Sequence, residues 1–113
     1  MIKIYHNNSC SKSNCALNIL EESGKEFEIV NYLETPPIAD DLISIINKLG
    51  IKAHQLIRKN EAVYTDKYKG KELSEQEWVM LMVENPILIE RPILVSGERA
   101  VIARPTEKIY DIL

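Results

Sequence analysis

The sequence predicts one α/β domain of 113 residues, in which a mixed four-stranded sheet is interrupted by a helical insertion at about residues 39–85. Two observations predict this class. Short alternating stretches, typical of strands, lie towards both ends of the chain, whereas apolar residues at helical spacing fill its middle. In addition, no internal repeat, low-complexity tract or linker divides the sequence, so a single domain is expected over residues 1–113.

The first third of the chain predicts a strand, a helix and a second strand. Residues 2–5 alternate in polarity, as a strand does, and a polar turn at residues 7–9 leads into a helix over residues 11–23. Gly24 follows at the position of a helix C-terminal cap. Residues 27–33 predict the second strand.

The middle of the chain predicts helices. Leu42 begins an apolar pattern that recurs at i+3, i+4 and i+7, and Gly50 follows it as a stop signal. A shorter helical segment is expected at residues 53–59. Residues 60–72 are polar and rich in lysine, which indicates a surface connection with some helical turn.

The last third predicts one more helix, a β-hairpin and a terminal helix. Ser74 and Glu77 have the spacing of a capping box, which starts the first of these helices. Three of its side chains are predicted to be core residues: Trp78, Met80 and Met82. The hairpin is predicted over residues 92–103, and Pro105 opens the terminal helix. The resulting order, β-α-β, helices and then β-β-α, is that of a thioredoxin-like domain with a helical insertion.

Composition and charge exclude several classes of protein. The 14 basic and 17 acidic residues give a net charge of −3, which argues against a nucleic-acid binder. The longest purely apolar stretch, residues 78–83, is far shorter than the roughly 20 residues that span a membrane. Two cysteines cannot form a disulfide framework, so a reduced, cytoplasmic protein is expected. The glycine, cysteine and histidine spacings fit no nucleotide loop or common zinc site, so no bound cofactor or metal is expected.

Cys10 is the leading candidate for a nucleophile. It stands between the first strand and the first turn of a helix, where several backbone N–H groups lack intrahelical partners. Those donors and the helix dipole stabilise a thiolate, and they also suit an oxyanion beside the sulfur. From position alone, a structural role as a small buried residue is an equally good interpretation.

The residues after Cys10 indicate how its sulfur would be regenerated. Ser13 occupies the second position of a C-x-x-S motif, where a dithiol redox motif carries cysteine. On one helix the rise from Cys10 to Cys15 is about 7.5 Å, beyond the roughly 7 Å between Cα atoms that a disulfide tolerates. We therefore expect Cys15 to be structural and the resolving thiol to come from another molecule.

The chain has few arginines, and the positions of three of them make them candidates for binding an oxyanion. The chain has ten lysines but only four arginines: Arg58, Arg91, Arg99 and Arg104. An arginine–proline dipeptide occurs at each end of the predicted hairpin, and a third arginine lies in residues 56–60. A guanidinium binds a tetrahedral oxyanion in a fork-like geometry and cannot lose its charge. Arg99, in the hairpin turn, is typical of ordinary surface charge.

The two histidines differ in whether their sequence context indicates a functional role. His6 closes the first strand four residues before Cys10, so it either tunes a thiolate there or caps the strand end. His54 has no motif around it and is expected to be a solvated helix residue.

Five blocks of the sequence, in order, carry a resemblance to a known family. They are residues 4–10, 32–37, 56–60, 85–93 and 103–105. With these blocks the chain resembles the glutaredoxin-coupled arsenate reductase (ArsC) family, nearly end to end, and within it the YfgD-like branch.

The resemblance implies a fold, a site and a reaction. The fold is thioredoxin-like with a helical insertion. The implied site residues are the nucleophile Cys10, the oxyanion-binding Arg58, Arg91 and Arg104, and the supporting His6, Ser13 and Pro92. It also implies a cis Arg91–Pro92 bond, with a backbone edge beside the thiol. In the implied reaction, the thiolate attacks arsenate, glutathione attacks the adduct as co-substrate, and glutaredoxin reduces the mixed species as arsenite is released.

Two other functions stay open at this point. An Spx-like regulator shares the fold and the region of residues 91–93 but binds RNA polymerase. Its usual switch is C-x-x-C, which Ser13 does not match, and residues 58–60 favour the reductase. A monothiol glutaredoxin-like exchanger is compatible with Cys10 followed by Ser13, because three arginines would suit the carboxylates of glutathione as well as arsenate.

Overall fold

The chain forms two compact units in a computed structural model that describes residues 2–7 and 9–113. One, called here the sheet unit, consists of the chain up to Thr35 together with Arg91–Leu113. The other, called the helical unit, is Pro36–Glu90. The predicted insertion at about residues 39–85 falls inside the helical unit.

The sheet unit contains the mixed four-stranded sheet that the sequence predicts. Its strands are β1 (Ile2–His6), β2 (Phe27–Asn31), β3 (Ile93–Ser96) and β4 (Arg99–Ile102). They lie in the order β2-β1-β3-β4, with β1 and β2 parallel and the other pairs antiparallel. β1 is therefore central, which places its C-terminal end and the loop after it in the middle of the sheet edge.

The core of the sheet unit lies on one face of this sheet. Ile4 of β1 pairs with Ile29 of β2 and Leu94 of β3, and its side chain is fully buried. The helix α1 (Ser11–Ser23) adds two buried residues, Ala16 and Leu20, at helical spacing. The C-terminal 3₁₀ helix adds more apolar side chains, so α1 and the end of the chain cover the same face.

The helical unit is built from three α-helices and two 3₁₀ turns. The helices are α2 (Ala39–Leu49), α3 (Ala62–Lys67) and α4 (Glu75–Glu84). α2 packs against α4, and each helix buries its apolar stripe. The predicted capping box is present, since the Ser74 hydroxyl accepts from the Glu77 backbone N–H and the Glu77 carboxylate accepts from the Ser74 N–H.

The segment before α3 differs from the helix predicted over residues 53–59. Only Ala53–Leu56 forms a 3₁₀ turn, and the chain is extended from Ile57. The reason is a backbone pairing that local propensity does not reveal: Arg58 N–H donates to the Leu88 carbonyl at 2.7 Å, and Glu90 N–H donates to the Leu56 carbonyl at 2.8 Å. Residues 57–58 are thus extended. A turn follows, in which the Glu61 N–H donates to the Arg58 carbonyl at 3.3 Å, and it leads into α3 within the connection predicted at residues 60–72.

Three other predictions need correction. The strand predicted over residues 27–33 ends at Asn31, because the next residues turn and two backbone N–H groups bond back to the Asn31 carbonyl. The terminal helix is a 3₁₀ helix, Thr106–Asp111, whose Ile109 is buried as expected. Met80 is 41% exposed, because it lies on the outer side of α4, whereas Trp78 and Met82 are buried.

The predicted polar turn at residues 7–9 includes Asn8, which lies outside the described residues.

His54 is half-buried, which differs from the solvated position that its sequence context predicts. Its ring centroid lies 4.7 Å from that of Trp78, and its Nε2 is 3.2 Å from the Tyr64 hydroxyl. This packing desolvates the imidazole, which lowers the pKa of His54 below 6.5; the positive charge of Lys59 lowers it further and Glu75 acts in the opposite sense. Through these contacts His54 links the 3₁₀ turn, in which it lies, to Tyr64 of α3 and Trp78 of α4.

No helix in the described part of the chain has the length and apolar character needed to cross a membrane.

Candidate active site

Cys10 is the residue from which α1 begins. It has extended backbone dihedrals, φ −102° and ψ 118°, and its carbonyl accepts the N–H of Asn14 in the first helical hydrogen bond. Its own N–H donates to the Asn7 carbonyl at 3.0 Å, which folds the loop after β1 tightly onto the helix start. The side chain is 7% exposed. Cys10 is therefore the N-cap residue of α1, at the end of the helix where first-turn N–H groups lack intrahelical partners and the dipole is positive.

Arg104 brings a permanent positive charge to this sulfur. Its Nη2 lies 3.6 Å from the Cys10 Sγ, across 94 residues of sequence. Its Nε donates to the Arg91 carbonyl oxygen at 2.6 Å, which fixes the plane of the guanidinium. A guanidinium beside a thiol at a helix start is a setting in which reactive cysteines are found.

The two arginine–proline dipeptides lie next to each other in the sheet unit. Both Arg91–Pro92 and Arg104–Pro105 are cis, the first as the resemblance implies. The Pro92 carbonyl accepts the N–H of Ala103 at 3.0 Å, so the residue before Arg104 is hydrogen-bonded to the residue after Arg91. Pro92 thus supports the site through its backbone, and its ring is buried. The structure thus places the Arg104 side chain against the Cys10 sulfur and the backbone of Arg91 against Arg104.

His6 and Ser13 form a buried polar pair below the Cys10 loop. His6 is 2% exposed and Ser13 is fully buried. The Ser13 Oγ lies 2.5 Å from the His6 Nδ1 and accepts the Asn7 backbone N–H at 3.1 Å. Ser13 is therefore the hydrogen-bonding group that ties the end of β1 to the first turn of α1, on either side of Cys10.

Cys15 does not have the packed, structural position that we expected. Its side chain is exposed on α1, while Cys10 is buried, and both thiols are free. Exposure follows from the helical period, since Ala16 and Leu20 occupy the buried face of α1. Cys15 is thus available to solvent rather than to the core.

Arg58, the third predicted oxyanion ligand, belongs to the helical unit. Its Nη1 donates to the Glu61 carboxylate at 2.5 Å, and its Nε lies 3.7 Å from a Glu90 oxygen. The side chain is 19% exposed. Arg58 is therefore held between two carboxylates by the residues of its own unit.

Sequence reasoning missed these two carboxylates. Glu61 follows Arg58 by three residues, a spacing that pairs charges on a helix. Here, however, the pairing arises because the chain turns at Glu61, the N-cap of α3. Glu90 comes close because residues 56–58 pair with residues 88–90. No local pattern signals that second contact.

Among residues 2–7 and 9–113, no three histidine, cysteine, aspartate or glutamate side chains are grouped closely enough to hold a metal ion. Arg99, predicted to be surface charge, is exposed and donates to the Asp111 carbonyl. The reactive chemistry described for the sheet unit therefore centres on the Cys10 thiol and the Arg104 guanidinium.

The model of the ArsC family matches residues 5–112, which is nearly the whole chain. The chain belongs to the ArsC family. The fold described above is accordingly the ArsC form of the thioredoxin-like fold, with its helical insertion.

Relatives and solved structures in the ArsC family match over almost the full chain. The Escherichia coli protein YfgD is 44% identical, with 99% of this chain and 96% of YfgD covered. An arsenate reductase of Neisseria meningitidis serogroup A is 39% identical, with 99% and 97% covered. The structure titled arsenate reductase from Vibrio cholerae superposes with a TM-score of 0.94 at 37% identity, covering 99% of this chain and 97% of that one.

Proposed function

We propose that this protein reduces arsenate to arsenite through a covalent adduct on the Cys10 sulfur, with glutathione and glutaredoxin supplying the electrons. The observation that carries the proposal is the contact between the Arg104 guanidinium and the Cys10 thiol at 3.6 Å. A guanidinium beside a thiol at a helix start favours both a thiolate and a tetrahedral oxyanion. Arsenate combines a tetrahedral oxyanion with an atom that thiolates attack.

In the first step, arsenate binds through the guanidinium groups of Arg91, Arg104 and, as the family resemblance implies, Arg58. The Cys10 thiolate attacks arsenic, an arsenic–sulfur bond forms, and one arsenate oxygen leaves as water after protonation. No electrons are transferred in this step, so arsenic remains As(V). The first-turn N–H groups of α1 and the arginines stabilise the negative charge of the oxyanion throughout.

In the second step, a glutathione thiolate attacks the Cys10 sulfur. A sulfur–sulfur bond forms, the arsenic–sulfur bond breaks, and its electron pair stays with arsenic, which leaves as arsenite, As(III). Glutaredoxin then removes the glutathione from Cys10 by thiol–disulfide exchange, which regenerates the Cys10 thiolate. An external thiol is favoured because the hydroxyl of Ser13 stands where a resolving thiol would be. A pool of reduced glutathione fits a cytoplasmic location.

The decisive experiment measures arsenite formed by the purified protein from arsenate, with glutathione, glutaredoxin and a glutathione-regenerating system. The wild-type protein should form arsenite, Cys10→Ser should form none, and Cys15→Ser should match wild type. The Cys15→Ser variant is the matched control, because it removes the other thiol from the same helix. If Cys10→Ser retains activity, the thiol adduct is not the route.

The assay also separates the alternatives. Deglutathionylation of a glutathionylated peptide without any arsenate reduction would support a monothiol exchanger in place of the reductase. Capture of RNA polymerase by a protein that forms no arsenite would support a regulator. Loss of activity when glutathione is omitted, with retention when thioredoxin is omitted, is the result that the proposal expects.

A further inference from the structure

The Arg58 side chain is held in a fixed position by the helical unit. The Arg58 N–H bonds to the Leu88 carbonyl at 2.7 Å, which anchors the backbone below the guanidinium. Glu61 begins α3, since its carbonyl accepts the N–H groups of Tyr64 and Thr65 at 3.0 and 3.1 Å. Both ends of the Arg58–Glu61 ion pair are therefore attached to ordered backbone.

The two carboxylates contact only part of the guanidinium. Glu61 bonds to Nη1 and Glu90 lies near Nε, while Nη2 takes part in neither contact. An anion that binds Nη2 therefore lies next to the Glu61 carboxylate, because Nη1 and Nη2 are attached to the same carbon. The anion also meets the charge of Glu90 on the other side of the guanidinium.

An ionised carboxylate accepts hydrogen bonds but cannot donate them. An oxyanion that keeps a proton at neutral pH can donate that proton to Glu61. An oxyanion without a proton presents only negative oxygens to the same carboxylate and is repelled. Arsenate and phosphate retain at least one proton at neutral pH, whereas sulfate retains none.

We infer that Glu61, assisted by Glu90, makes Arg58 select tetrahedral oxyanions that carry a proton and reject sulfate. The inference rests on the proposed function for the part that Arg58 plays in binding the substrate oxyanion. Glu61 is a specificity-determining residue, and its effect is on discrimination between anions. This discrimination excludes sulfate from the arginine and does not separate arsenate from phosphate, since both carry a proton at neutral pH.

Calorimetric titration of the full chain with phosphate and with sulfate, at neutral pH and matched ionic strength, tests the inference. The wild-type protein should bind phosphate more tightly than sulfate, by about tenfold or more, as expected for one hydrogen bond to a charged group. Glu61→Gln supplies an amide donor, so the ratio of the sulfate Kd to the phosphate Kd should fall by about tenfold. Glu90→Gln should lower the ratio less, because its carboxylate is 3.7 Å away.

Asp66→Asn is the matched control, because it removes the same charge from an exposed position on α3. It should leave the ratio unchanged. Equal binding of the two anions by wild type, or an unchanged ratio in Glu61→Gln, would overturn the inference. If Glu61→Gln does not fold, as judged by circular dichroism, the wild-type ratio and Glu90→Gln still decide it.

The arsenite assay distinguishes failure of this inference from failure of the proposed function. If the wild-type protein forms arsenite but binds sulfate as tightly as phosphate, the proposed reductase function holds and the selectivity by Glu61 is contradicted. A protein that binds neither anion and forms no arsenite would contradict both.

Discussion

The Ser13 hydroxyl oxygen lies 2.5 Å from the His6 Nδ1 and accepts the Asn7 backbone N–H. His6 ends β1 and Ser13 lies in the first turn of α1, so this pair sets the geometry of the loop between them. Cys10 stands inside that loop. His6 can therefore influence the nucleophile by positioning the helix start through Ser13, which is one way in which a histidine four residues before a cysteine can act.

Ser13→Ala should destabilise the protein by about 1–3 kcal/mol, the usual cost of leaving a buried hydrogen-bonding group without its partner. The substitution removes the acceptor of the Asn7 N–H and the contact of the hydroxyl with His6. Urea unfolding followed by circular dichroism measures the change. Ser11→Ala, an exposed position in the same turn, should change the unfolding free energy by less than about 0.5 kcal/mol. Equal stability of the two variants would show that the buried pair contributes nothing.

Arg104 is predicted to control the reactivity of Cys10. Arg104→Gln should slow alkylation of Cys10 by iodoacetamide about tenfold, because a hydrogen bond from a cation to a thiolate is lost. Arg104→Lys should be slow as well. A single ammonium group cannot reproduce the planar fork that reaches the Arg91 carbonyl and the Cys10 sulfur together.

The alkylation measurement is made in a Cys15→Ser background, because the exposed Cys15 thiol would also react. Mass spectrometry of the modified protein then follows one site. Arg99→Gln removes the same charge from the hairpin and should react at the wild-type rate. If Arg104→Gln is alkylated as fast as Arg99→Gln, Arg104 does not control the reactivity of Cys10.

The fold was largely predictable because its elements are encoded by local patterns. The α1 boundaries follow from a polar turn and from Gly24, whose φ of 74° favours glycine. The α4 start follows from the Ser74–Glu77 capping box. The helical segment predicted over residues 53–59 ends already at Leu56, because the pairing of Ile57 with Ile89 is non-local. Apolar spacing alone does not distinguish an extended segment that pairs in this way from a helix.

For the site, the sequence predicted candidate residues but not the contacts between them. Cys10 and the arginines could be proposed because a thiol at a helix start and repeated arginine–proline pairs are unusual in sequence. The contact of Arg104 with Cys10 depends on two segments 94 residues apart, and no spacing rule gives it. Glu61 and Glu90 escaped notice because charged residues are common on protein surfaces. Only the fold shows that Arg58 lies between them.

Ser74→Ala should destabilise the protein by about 1 kcal/mol, the typical cost of removing a helix N-cap. The Ser74 hydroxyl accepts the Glu77 N–H at 3.2 Å, and α4 carries the buried Trp78 and Met82. Thermal and urea unfolding measure the loss. Ser44→Ala, on the exposed face of α2, should be neutral or slightly stabilising because alanine favours a helix interior. A Ser74→Ala variant as stable as Ser44→Ala would contradict a stabilising cap.

Acidification is predicted to destabilise the protein in two steps, which follow from the directions of two pKa shifts. Packing against Trp78 and Tyr64 desolvates His54, and with the charge of Lys59 this lowers the pKa of the folded imidazole below 6.5. The unfolded state therefore binds a proton first. The His54 contribution is fully present above pH 6.5 and is lost as the pH falls through the folded pKa. Hydrogen bonds from the Ser74 backbone and hydroxyl lower the pKa of Glu77 below 4.5, so its contribution is lost at more acidic pH.

Trp78 is the only tryptophan of the chain, and its ring lies 4.7 Å from that of His54. Its fluorescence should therefore report protonation of His54, because a nearby imidazolium quenches an indole. We expect a midpoint below pH 6.5 in the folded protein and no such transition in His54→Gln. Urea unfolding above and below pH 6.5 should show a smaller loss of stability in His54→Gln than in wild type. A fluorescence midpoint at or above pH 6.5 would contradict the desolvated state of His54, since an imidazole that remained hydrated would titrate there.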